Sequence, residues 1–424
     1  MPLILLFAIF ASTPGLTARH GVEFYAVCSF LAGVTWLALR AKPLRWPFPA
    51  ILSVALAARL LFIGEPPHLS GDVYRYLWDG TVSATGASPY AAAPSDPALA
   101  SLREPWHGRI NHPEIPSIYP PHAQALFLTT GGSLPVWRIL LLLIEIGGLV
   151  LLRRLVPPED LLAYALFPPL LFEGIWNGHA DLAAGFFLLV AFAATEARRA
   201  VVSGASLAIA AGIKLTPLVA LVAMLRHSRG RPLFLLCFSL VLVLPAIPFA
   251  LHGDLMPGLH DYAARWSFNS PLYEIALGAV AASGATTWLR GLWGVLKDSL
   301  PLERFSPSVY GLLYDEMVAR GALALVLVIA IVIVVRASRS LASGIVRSIA
   351  LLLLCSPAIH PWYWLVMMPV AFVAGELVVV MLGLFAGWSY LLYGGVSSWI
   401  VFLLCYALPV MLAIRMPRLT ASDR

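Results

Sequence analysis

Long apolar segments with almost no charge recur along the sequence, and they constrain the fold more than any other feature. One of them, GALALVLVIAIVIVV at residues 321–335, contains no polar side chain. Segments of this kind begin near residues 2, 22, 47, 136, 160, 180, 201, 232, 272, 320, 345, 361, 377 and 397. Since one helical crossing needs about 20 apolar residues and several segments are shorter, we predict an all-α polytopic transmembrane bundle of about 10–13 spans.

The composition excludes a single water-soluble core. Only 12% of the residues are charged and the mean hydropathy is +0.84, whereas soluble domains carry about 25% charged residues. A transmembrane barrel would show alternating segments of about 10 residues instead of long runs. The cysteines lie inside apolar runs without metal-ligand spacing, so we interpret them as small buried hydrophobic residues: Cys28, Cys237, Cys355 and Cys405.

Lysine and arginine in short loops mark the side that faces the cytoplasm. These residues cluster between apolar segments and near the C-terminus: Arg40, Lys42, Arg45, Arg153, Arg154, Arg198, Arg199, Arg226, Arg229, Arg231, Arg336, Arg339, Arg347, Arg415, Arg418 and Arg424. Placing them inside the cell puts four other segments together on the outer face, at residues 64–122, 173–181, 252–271 and 357–363. We predict a multi-pass protein of the inner or plasma membrane whose working face is periplasmic or exterior.

The histidines are distributed unequally between the two faces. Of the ten in the chain, eight fall in or beside the predicted outer segments: His68, His107, His112, His122, His179, His252, His260 and His360. His20 lies in a short outer turn, and His227 is cytoplasmic. This bias indicates that the outer face carries the function.

We interpret residues 1–424 as one integral membrane domain. Its largest non-membrane part is the outer loop at residues 64–122. Loops of this length in compact proteins are usually functional or disordered, and the aromatic, acidic and histidine content of this one favours function. We expect it to contain short interfacial helices, anchored by Tyr74, Tyr76, Trp78 and Trp106.

The first candidate site is SGDVYRYLWDG, residues 70–80. Ser70 and Gly71 precede Asp72, so the pattern predicts Asp72 near a helix N-terminus, where backbone N–H groups favour an ionised carboxylate. Asp79 follows two turns later and shares the same helix face. The alternative is that Asp72 is only a helix cap and Asp79 a solvated loop residue.

The same loop contains WHGRINHPEIPSIYPPHAQ, residues 106–124. His112 and Glu114 are close enough in sequence to bind one metal ion, but the spacing matches no strong zinc signature such as H-E-x-x-H. A metal site therefore stays open as an alternative. We expect no cofactor, because no strong motif supports a divalent metal.

Polar residues also interrupt the apolar segment FEGIWNGHADL, residues 172–182. Glu173, Asn177, His179 and Asp181 would each cost roughly 2.5–3.5 kcal/mol at membrane depth, which makes them functional candidates. The alternative is a polar turn wetted by water.

Two further polar groups stand in or beside apolar segments. Lys214 in AAGIKLTPLVAL either extends to the membrane surface or neutralises an anion, and Pro217 indicates a broken helix. His360 begins HPWYW, where an aromatic belt explains the rings but not the histidine. Arg265, in DYAARWSFNSP, is a further outer cation and is more often a plain loop residue than a ligand.

These segments together resemble the GT-C superfamily of polytopic glycosyltransferases, and within it the bacterial mannosyltransferases that use polyprenyl-phosphate-linked sugars. The likeness rests on GDVYRYLWDG, SPYAAAP, NHPEIPSIYPP, WNGHADL, GIKLTP and HPWYW, in this order between residues 70 and 364. It implies a membrane hexosyltransferase of the cell envelope, with mannose as the expected sugar. The implied partners are a polyprenyl-phosphate sugar donor, a glycolipid or glycan acceptor and the bilayer, with no nucleic acid.

The resemblance also implies roles for individual residues. Asp72 matches the aspartate that acts as catalytic base in the first large outer loop, and a single base predicts inversion at the anomeric carbon. Donor-phosphate contacts are expected from Lys214, His360 and Arg265. Substrate contacts are expected from Asp79, Tyr76, His112, Glu114, Tyr119, Glu173, Asn177, His179 and Asp181. Asp72 and Asp79 do not form a D-x-D pair, so the metal dependence of some relatives does not carry over.

Two other functions remain open from the sequence. A lipid or small-anion transporter or flippase would show inverted repeats and polar residues near the bilayer midplane, and only Lys214 favours it. A membrane metallohydrolase would need a metal site. The sequence has no P-loop, no dinucleotide fingerprint and no G-x-S-x-G, which favours a membrane-borne activated substrate over a soluble nucleotide.

Overall fold

The computed structural model describes residues 1–41, 44–251, 253 and 255–415. Lys42, Arg418 and Arg424, which helped to orient the chain, and His252, one of the histidines of the predicted outer segments, lie outside the described residues. The described chain is helical, and the β pairing found in it is an isolated parallel bridge between Phe268 and Ala358. The predicted all-α class is therefore confirmed.

Proline begins many of the helices, because its missing N–H costs nothing in the first turn. The α-helices are α1 (Pro2–His20), α2 (Val22–Arg40), α3 (Phe48–Leu60), α4 (Asp72–Ala84), α5 (Pro121–Leu128), α6 (Leu134–Leu152), α7 (Pro158–Ala165), α8 (Asp181–Glu196), α9 (Ala200–Ile213), α10 (Ala220–His227), α11 (Arg231–Val243), α12 (Ile247–Ala250), α13 (Pro257–Arg265), α14 (Pro271–Ser283), α15 (Ala285–Ser299), α16 (Ser306–Tyr310), α17 (Asp315–Ala337), α18 (Leu341–Cys355), α19 (Met368–Ala374), α20 (Leu377–Phe385), α21 (Ser398–Phe402) and α22 (Leu408–Arg415). Short 3₁₀ segments cover Pro97–Leu102, His107–Arg109, Thr216–Val219, Leu244–Ala246, Glu303–Phe305, Pro361–Met367 and Ala386–Leu392, and π-helical segments cover Leu170–Trp176 and Leu403–Ala407.

Six helical stretches within the described ranges are long and apolar enough to cross a membrane: Pro2–His20, Val22–Arg40, Leu134–Leu152, Arg231–Ala250, Asp315–Ala337 and Ser398–Arg415. The π segment Leu170–Trp176 and α8 form one further apolar pair, which is bent by 112° at the residues between them. The predicted 10–13 spans require some of the shorter apolar helices to cross as well. The helices are those of a multi-pass membrane protein.

The predicted outer loop at residues 64–122 folds back onto the helical bundle. It contains the predicted short helices, but Tyr74, Tyr76 and Trp78 are no more than 5% exposed. Tyr76 stacks on Phe127 of α5 with ring centroids 4.5 Å apart. The prediction that these three rings anchor the loop at the membrane interface is therefore wrong, because they pack inside the protein. Tyr74 packs against Trp106 and Trp78 against His107 of the same loop.

A buried arginine on α6 fixes the chain that leads to α4. Arg138 is fully buried and donates hydrogen bonds to the carbonyl oxygens of Phe62 and Ile63, both at 2.9 Å, and to those of Glu65 and Trp176. These bonds satisfy carbonyl groups at the end of α3 and at the end of the π segment. They hold the start of the outer loop against the bent pair.

A second buried arginine joins α3 to α6. Arg59 Nε lies 2.7 Å from Glu145 Oε2, and both side chains are 1% exposed. Arg59 also donates to the carbonyl oxygen of Ala165 at the end of α7, at 2.7 Å. One apolar core surrounds these contacts and includes residues from Leu6 to Ala413.

Candidate active site

The predicted outer segments meet around one large cavity of about 960 Å³. Residues from 64–122, 252–271 and 357–363 line it, together with Lys214 and its neighbours. The fourth segment, 173–181, lies directly behind the wall, where His179 contacts two lining residues. The structure therefore brings all four segments to one place.

Asp72 is the first residue of α4, as predicted, and its carboxylate lines the cavity. The side chain is 23% exposed. Its Oδ1 accepts a hydrogen bond from Asn111 Nδ2 at 3.3 Å, and its backbone N–H donates to Ser70 Oγ at 3.2 Å. Burial raises the pKa of Asp72 above its ordinary value, while the Lys214 charge and the Asn111 hydrogen bond act in the opposite direction.

His179 lies between two carboxylates. Its Nδ1 is 4.0 Å from Asp72 Oδ2, and its Nε2 is 3.6 Å from Glu173 Oε2. The ring is fully buried and stacks on Trp362, with centroids 3.9 Å apart and planes inclined by 9°. Neither ring nitrogen forms a hydrogen bond with another described residue.

Glu173 lies in the π segment and is surrounded by hydrogen-bond donors. Tyr25 donates to Oε1 and Tyr390 to Oε2, both at 3.0 Å, and Asn177 Nδ2 lies 3.2 Å from Oε2. All four side chains are buried. Glu173 and Asn177 therefore lie behind the cavity wall, where Glu173 approaches His179.

Lys214 is one of the cations that line the cavity. It follows the last turn of α9 in extended conformation, and Nζ lies 3.2 Å from Asp181 Oδ2. Nζ also lies 4.4 Å from the centroid of the Tyr363 ring, whose hydroxyl bonds to that of Tyr262. Asp181 is fully buried behind Lys214, so it holds the lysine rather than lining the cavity.

His360 also lines the cavity, inside an aromatic stack. Its ring centroid lies 4.6 Å from that of Phe268 and 4.5 Å from that of Trp362. Its Nδ1 is buried and forms no hydrogen bond with a described residue. Lys214 and His360 thus bring two nitrogen groups to the cavity, and their contact with a donor phosphate stays a prediction.

Asp79 and Tyr76, which were expected to bind substrate, lie inside the outer loop and away from the cavity lining. Asp79 is 1% exposed, pairs with Arg75 Nε at 3.1 Å and accepts a hydrogen bond from Gln124 Nε2, also at 3.1 Å. Arg75 in turn donates to the carbonyl oxygen of Ile115. Through these contacts Asp79 stabilises the loop that carries Asn111 instead of binding substrate directly.

The two residues considered as metal ligands stand near the cavity edge. His112 Nδ1 lies 3.4 Å from Glu114 Oε1, and both side chains are more than half exposed. His112 lines the cavity and packs edge-on against Trp266, while Glu114 lies outside the lining. No three His, Cys, Asp or Glu residues of the described chain are grouped closely enough to hold a metal ion.

Tyr119 and Arg265, the remaining two predicted site residues, differ in their position relative to the cavity. Tyr119 lines the cavity. Arg265 lies at the end of α13, is 71% exposed and pairs with Asp261 one turn earlier at 2.9 Å. It lies outside the cavity lining, because the helix turns this side chain towards its own acidic neighbour.

Several residues of the site were not predicted from the sequence. Asn111, which contacts Asp72, stands inside NHPEIP and could have been singled out as the amide beside His112. Tyr25 and Tyr390, which hold Glu173, lie in apolar segments and have no local signal. Tyr262 belongs to DYAARW, where only Arg265 was singled out.

A smaller groove of about 400 Å³ adjoins the cavity near Lys214. The groove and the cavity share four residues, and the groove runs between the 3₁₀ segment Thr216–Val219 and α18. Its lining is mostly aliphatic: Leu215, Thr216, Leu218, Val219, Leu352, Leu353, Ser356 and Tyr363. Leu215 and Leu218 are each more than 40% exposed on this apolar surface.

The comparison with protein families identifies the class of protein. The family model of glycosyltransferase family 87 matches residues 118–357, which is more than half of the chain. The protein belongs to this family, so it is a membrane glycosyltransferase of the GT-C type, as the sequence predicted. Asp72 and His360 lie outside the matched range. No curated protein and no solved structure matched the chain.

Proposed function

We propose that this glycosyltransferase moves a hexose from a polyprenyl-phosphate donor to an acceptor hydroxyl on the outer side of the inner or plasma membrane. Mannose is the first candidate sugar, because of the motif resemblance. The observation that carries the proposal is that Asp72 and Lys214 face one cavity, which continues into an aliphatic groove.

Asp72 is the catalytic base in this proposal. A carboxylate at the cavity surface can accept the proton of an acceptor hydroxyl as that oxygen attacks the anomeric carbon. Its raised pKa makes it a stronger base than an exposed aspartate. Direct attack with a single base displaces the phosphate from the opposite face and inverts the anomeric carbon.

Lys214 and His360 hold the donor phosphate. Lys214 is a mobile point charge that can move from Asp181 to a phosphate, and such charges stabilise a leaving group as negative charge develops on it. His360 brings an unpaired Nδ1 to the same cavity. Cationic stabilisation of this kind removes the need for a strong general acid, because a phosphate monoester already leaves readily.

The aliphatic groove accommodates the polyprenyl chain. Its lining from Leu215 to Leu353 begins beside Lys214, so a phosphate bound at the lysine would place the attached lipid at the groove entrance. Exposed leucines at the groove match isoprenoid methyl groups in polarity. A soluble nucleotide sugar would gain nothing from such a groove.

The experiment uses purified protein in liposomes with labelled polyprenyl-phosphate mannose and a membrane extract as acceptor source. We expect a labelled glycosylated product with inverted anomeric configuration. Asp72→Asn should lower the rate of transfer by about 10²–10⁴-fold, which is the usual contribution of a general base.

The matched control is Asp96→Asn, which makes the same substitution in the same outer loop. Asp96 caps the 3₁₀ segment Pro97–Leu102 by accepting a hydrogen bond from Ala98 N. We expect it to keep the parent rate. If Asp72→Asn transfers sugar as fast as the parent, the catalytic assignment is wrong, and lipid flux without a covalent product would contradict the activity itself.

A further inference from the structure

The arrangement of Glu173, His179 and Asp72 forms a continuous polar chain from the buried interior to the cavity. Asp72 Oδ2 and His179 Nδ1 are 4.0 Å apart, and His179 Nε2 and Glu173 Oε2 are 3.6 Å apart. Apart from Asp72, the members of this chain are buried. The role of Asp72 as base leaves the other two members unexplained.

The hydrogen bonds to Glu173 determine which ring nitrogen of His179 carries the proton. The carboxylate has donors on both oxygens, from Tyr25, Tyr390 and Asn177. It therefore acts as an acceptor, and a proton on His179 Nε2 would point at it. A neutral imidazole with its proton on Nε2 has its lone pair on Nδ1, which faces Asp72.

We infer that His179 is the residue that takes the proton from Asp72 after sugar transfer, with Glu173 holding the imidazole in the required tautomer. This inference rests on the proposed function. His179 acts through Asp72 and is therefore a positioning and proton-accepting residue rather than a group that touches substrate. Catalytic hydrogen bonds are often long in a free enzyme and tighten in the Michaelis complex.

The acceptor O–H bond breaks as its oxygen forms a bond to the anomeric carbon, and the bond from that carbon to the phosphate oxygen breaks with its electron pair. The acceptor proton moves to Asp72 and then to His179 Nδ1. The resulting imidazolium is compensated by Glu173, and the proton returns through Asp72 to water once the product has left.

Stacking on Trp362 restrains the orientation of the His179 ring. The Trp362 ring lies parallel to the imidazole, so the two nitrogen atoms stay aligned with the two carboxylates. The charged and titratable groups that face the imidazole are Asp72 from α4, Glu173 from the π segment, Lys214 after α9 and His360 before the 3₁₀ segment Pro361–Met367. Lys214 is directed towards Asp181, which leaves Asp72 as the proton partner on the cavity side.

The test is His179→Gln in the full chain, assayed in liposomes with labelled polyprenyl-phosphate mannose. Glutamine keeps the size and hydrogen bonding of the side chain but cannot take a proton. We expect kcat to fall about 10²-fold while the KM values for donor and acceptor stay within about twofold. The acid limb of the kcat/KM profile should move to lower pH, because the glutamine amide can donate a hydrogen bond to the ionised Asp72, whereas the Nδ1 lone pair of the imidazole can only accept one.

His227→Gln is the matched control, since His227 contacts the carbonyl oxygen of Ala223 in α10, far in sequence from the polar chain. It should keep the parent kinetics. An unchanged kcat in His179→Gln overturns the inference, and so does a lower kcat with an unmoved acid limb, which is the result of a merely structural role.

Glu173→Gln keeps the inference testable if His179→Gln fails to fold. It preserves the shape of the side chain but cannot compensate an imidazolium, so kcat should fall about tenfold at unchanged KM. A parent-like kcat in this variant also overturns the inference. If Asp72→Asn is active, the proposed function fails; if only the His179 and Glu173 variants are parent-like, the proposed function survives and this inference does not.

Discussion

At the scale of single residues, Asp72 is the clearest case of a side chain whose environment changes its chemistry. Its carboxylate is mostly buried, and the Asn111 amide donates to it at 3.3 Å. Burial favours the neutral acid, whereas the amide and the Lys214 charge favour the ionised form. A base must be ionised to act, so the balance among these three groups sets the pH range of activity.

The pH profile of Asn111→Ala tests this balance. Because burial raises the pKa of Asp72, kcat/KM should fall on the acid side at a pH above the ordinary aspartate value of 3.8. Removing the amide takes away a hydrogen bond to the ionised form, so the pKa of Asp72 rises further and the acid limb moves to higher pH. Asp96→Asn should leave the limb in place, and a shift to lower pH in Asn111→Ala would contradict the account.

At the scale of secondary structure, the bend between the π segment and α8 positions His179. Gly178 occupies this bend with a φ of +72°, in the left-handed region. Its carbonyl oxygen accepts a hydrogen bond from Trp137 Nε1 at 2.7 Å. A Cβ at this position would lie 3.1 Å from Val73 Cγ2 and 3.2 Å from Trp137 Nε1. The glycine thus permits α4 and the bend to approach each other closely.

Gly178→Ala should therefore damage both stability and activity. The left-handed conformation costs a non-glycine residue about 1–2 kcal/mol, and the added methyl group pushes on Val73, the neighbour of Asp72. We expect a lower unfolding temperature in detergent and a transfer rate reduced at least tenfold, since small displacements of reacting groups are costly.

Gly86→Ala is the control for this prediction. Gly86 also has a positive φ, of +82°, and nothing in the described chain lies within 4 Å of a Cβ built there. It should lose about the same conformational free energy and keep the parent transfer rate. Equal loss of activity in both variants would mean that the close contact at Gly178 is unimportant.

At the scale of the whole molecule, buried polar contacts connect helices that are distant in sequence. The Arg59–Glu145 pair joins α3 to α6, and Arg59 also binds the carbonyl of Ala165. Replacing both charges of such a pair with apolar residues changes the stability little. Removing only one of them leaves an unpaired charge in the core, which is costly. The pair therefore makes the arrangement of these helices specific.

Glu145→Met should destabilise the protein by about 3–5 kcal/mol, because Arg59 then keeps an uncompensated buried charge. Adding Arg59→Met should recover part of this loss, so the double variant is more stable than the sum of the single effects predicts. Equilibrium unfolding in detergent measures the three values. Strict additivity would contradict a direct interaction between the two side chains.

The helical class and the position of the candidate site followed from local features of the sequence. Helices were predictable because a segment in lipid must satisfy its own backbone hydrogen bonds. The helix start at Asp72 followed from the preceding Ser70 and Gly71, and the grouping of outer segments followed from the positions of arginine in the loops. The inward packing of Tyr76 and Trp78 was missed, because a ring at a membrane boundary and a ring in a core look alike in sequence.

The membrane-embedded helical bundle, and the segments that carry its polar groups, can be read from the sequence because both depend on short-range polarity. The pairing of those polar groups can be seen only in the folded chain. Tyr25 and Tyr390 reach Glu173 across 148 and 217 positions of the chain, and Asp79 and Arg265 turn to partners of their own instead of the cavity. These pairings depend on how helices pack and rotate against one another, and no local pattern encodes that geometry.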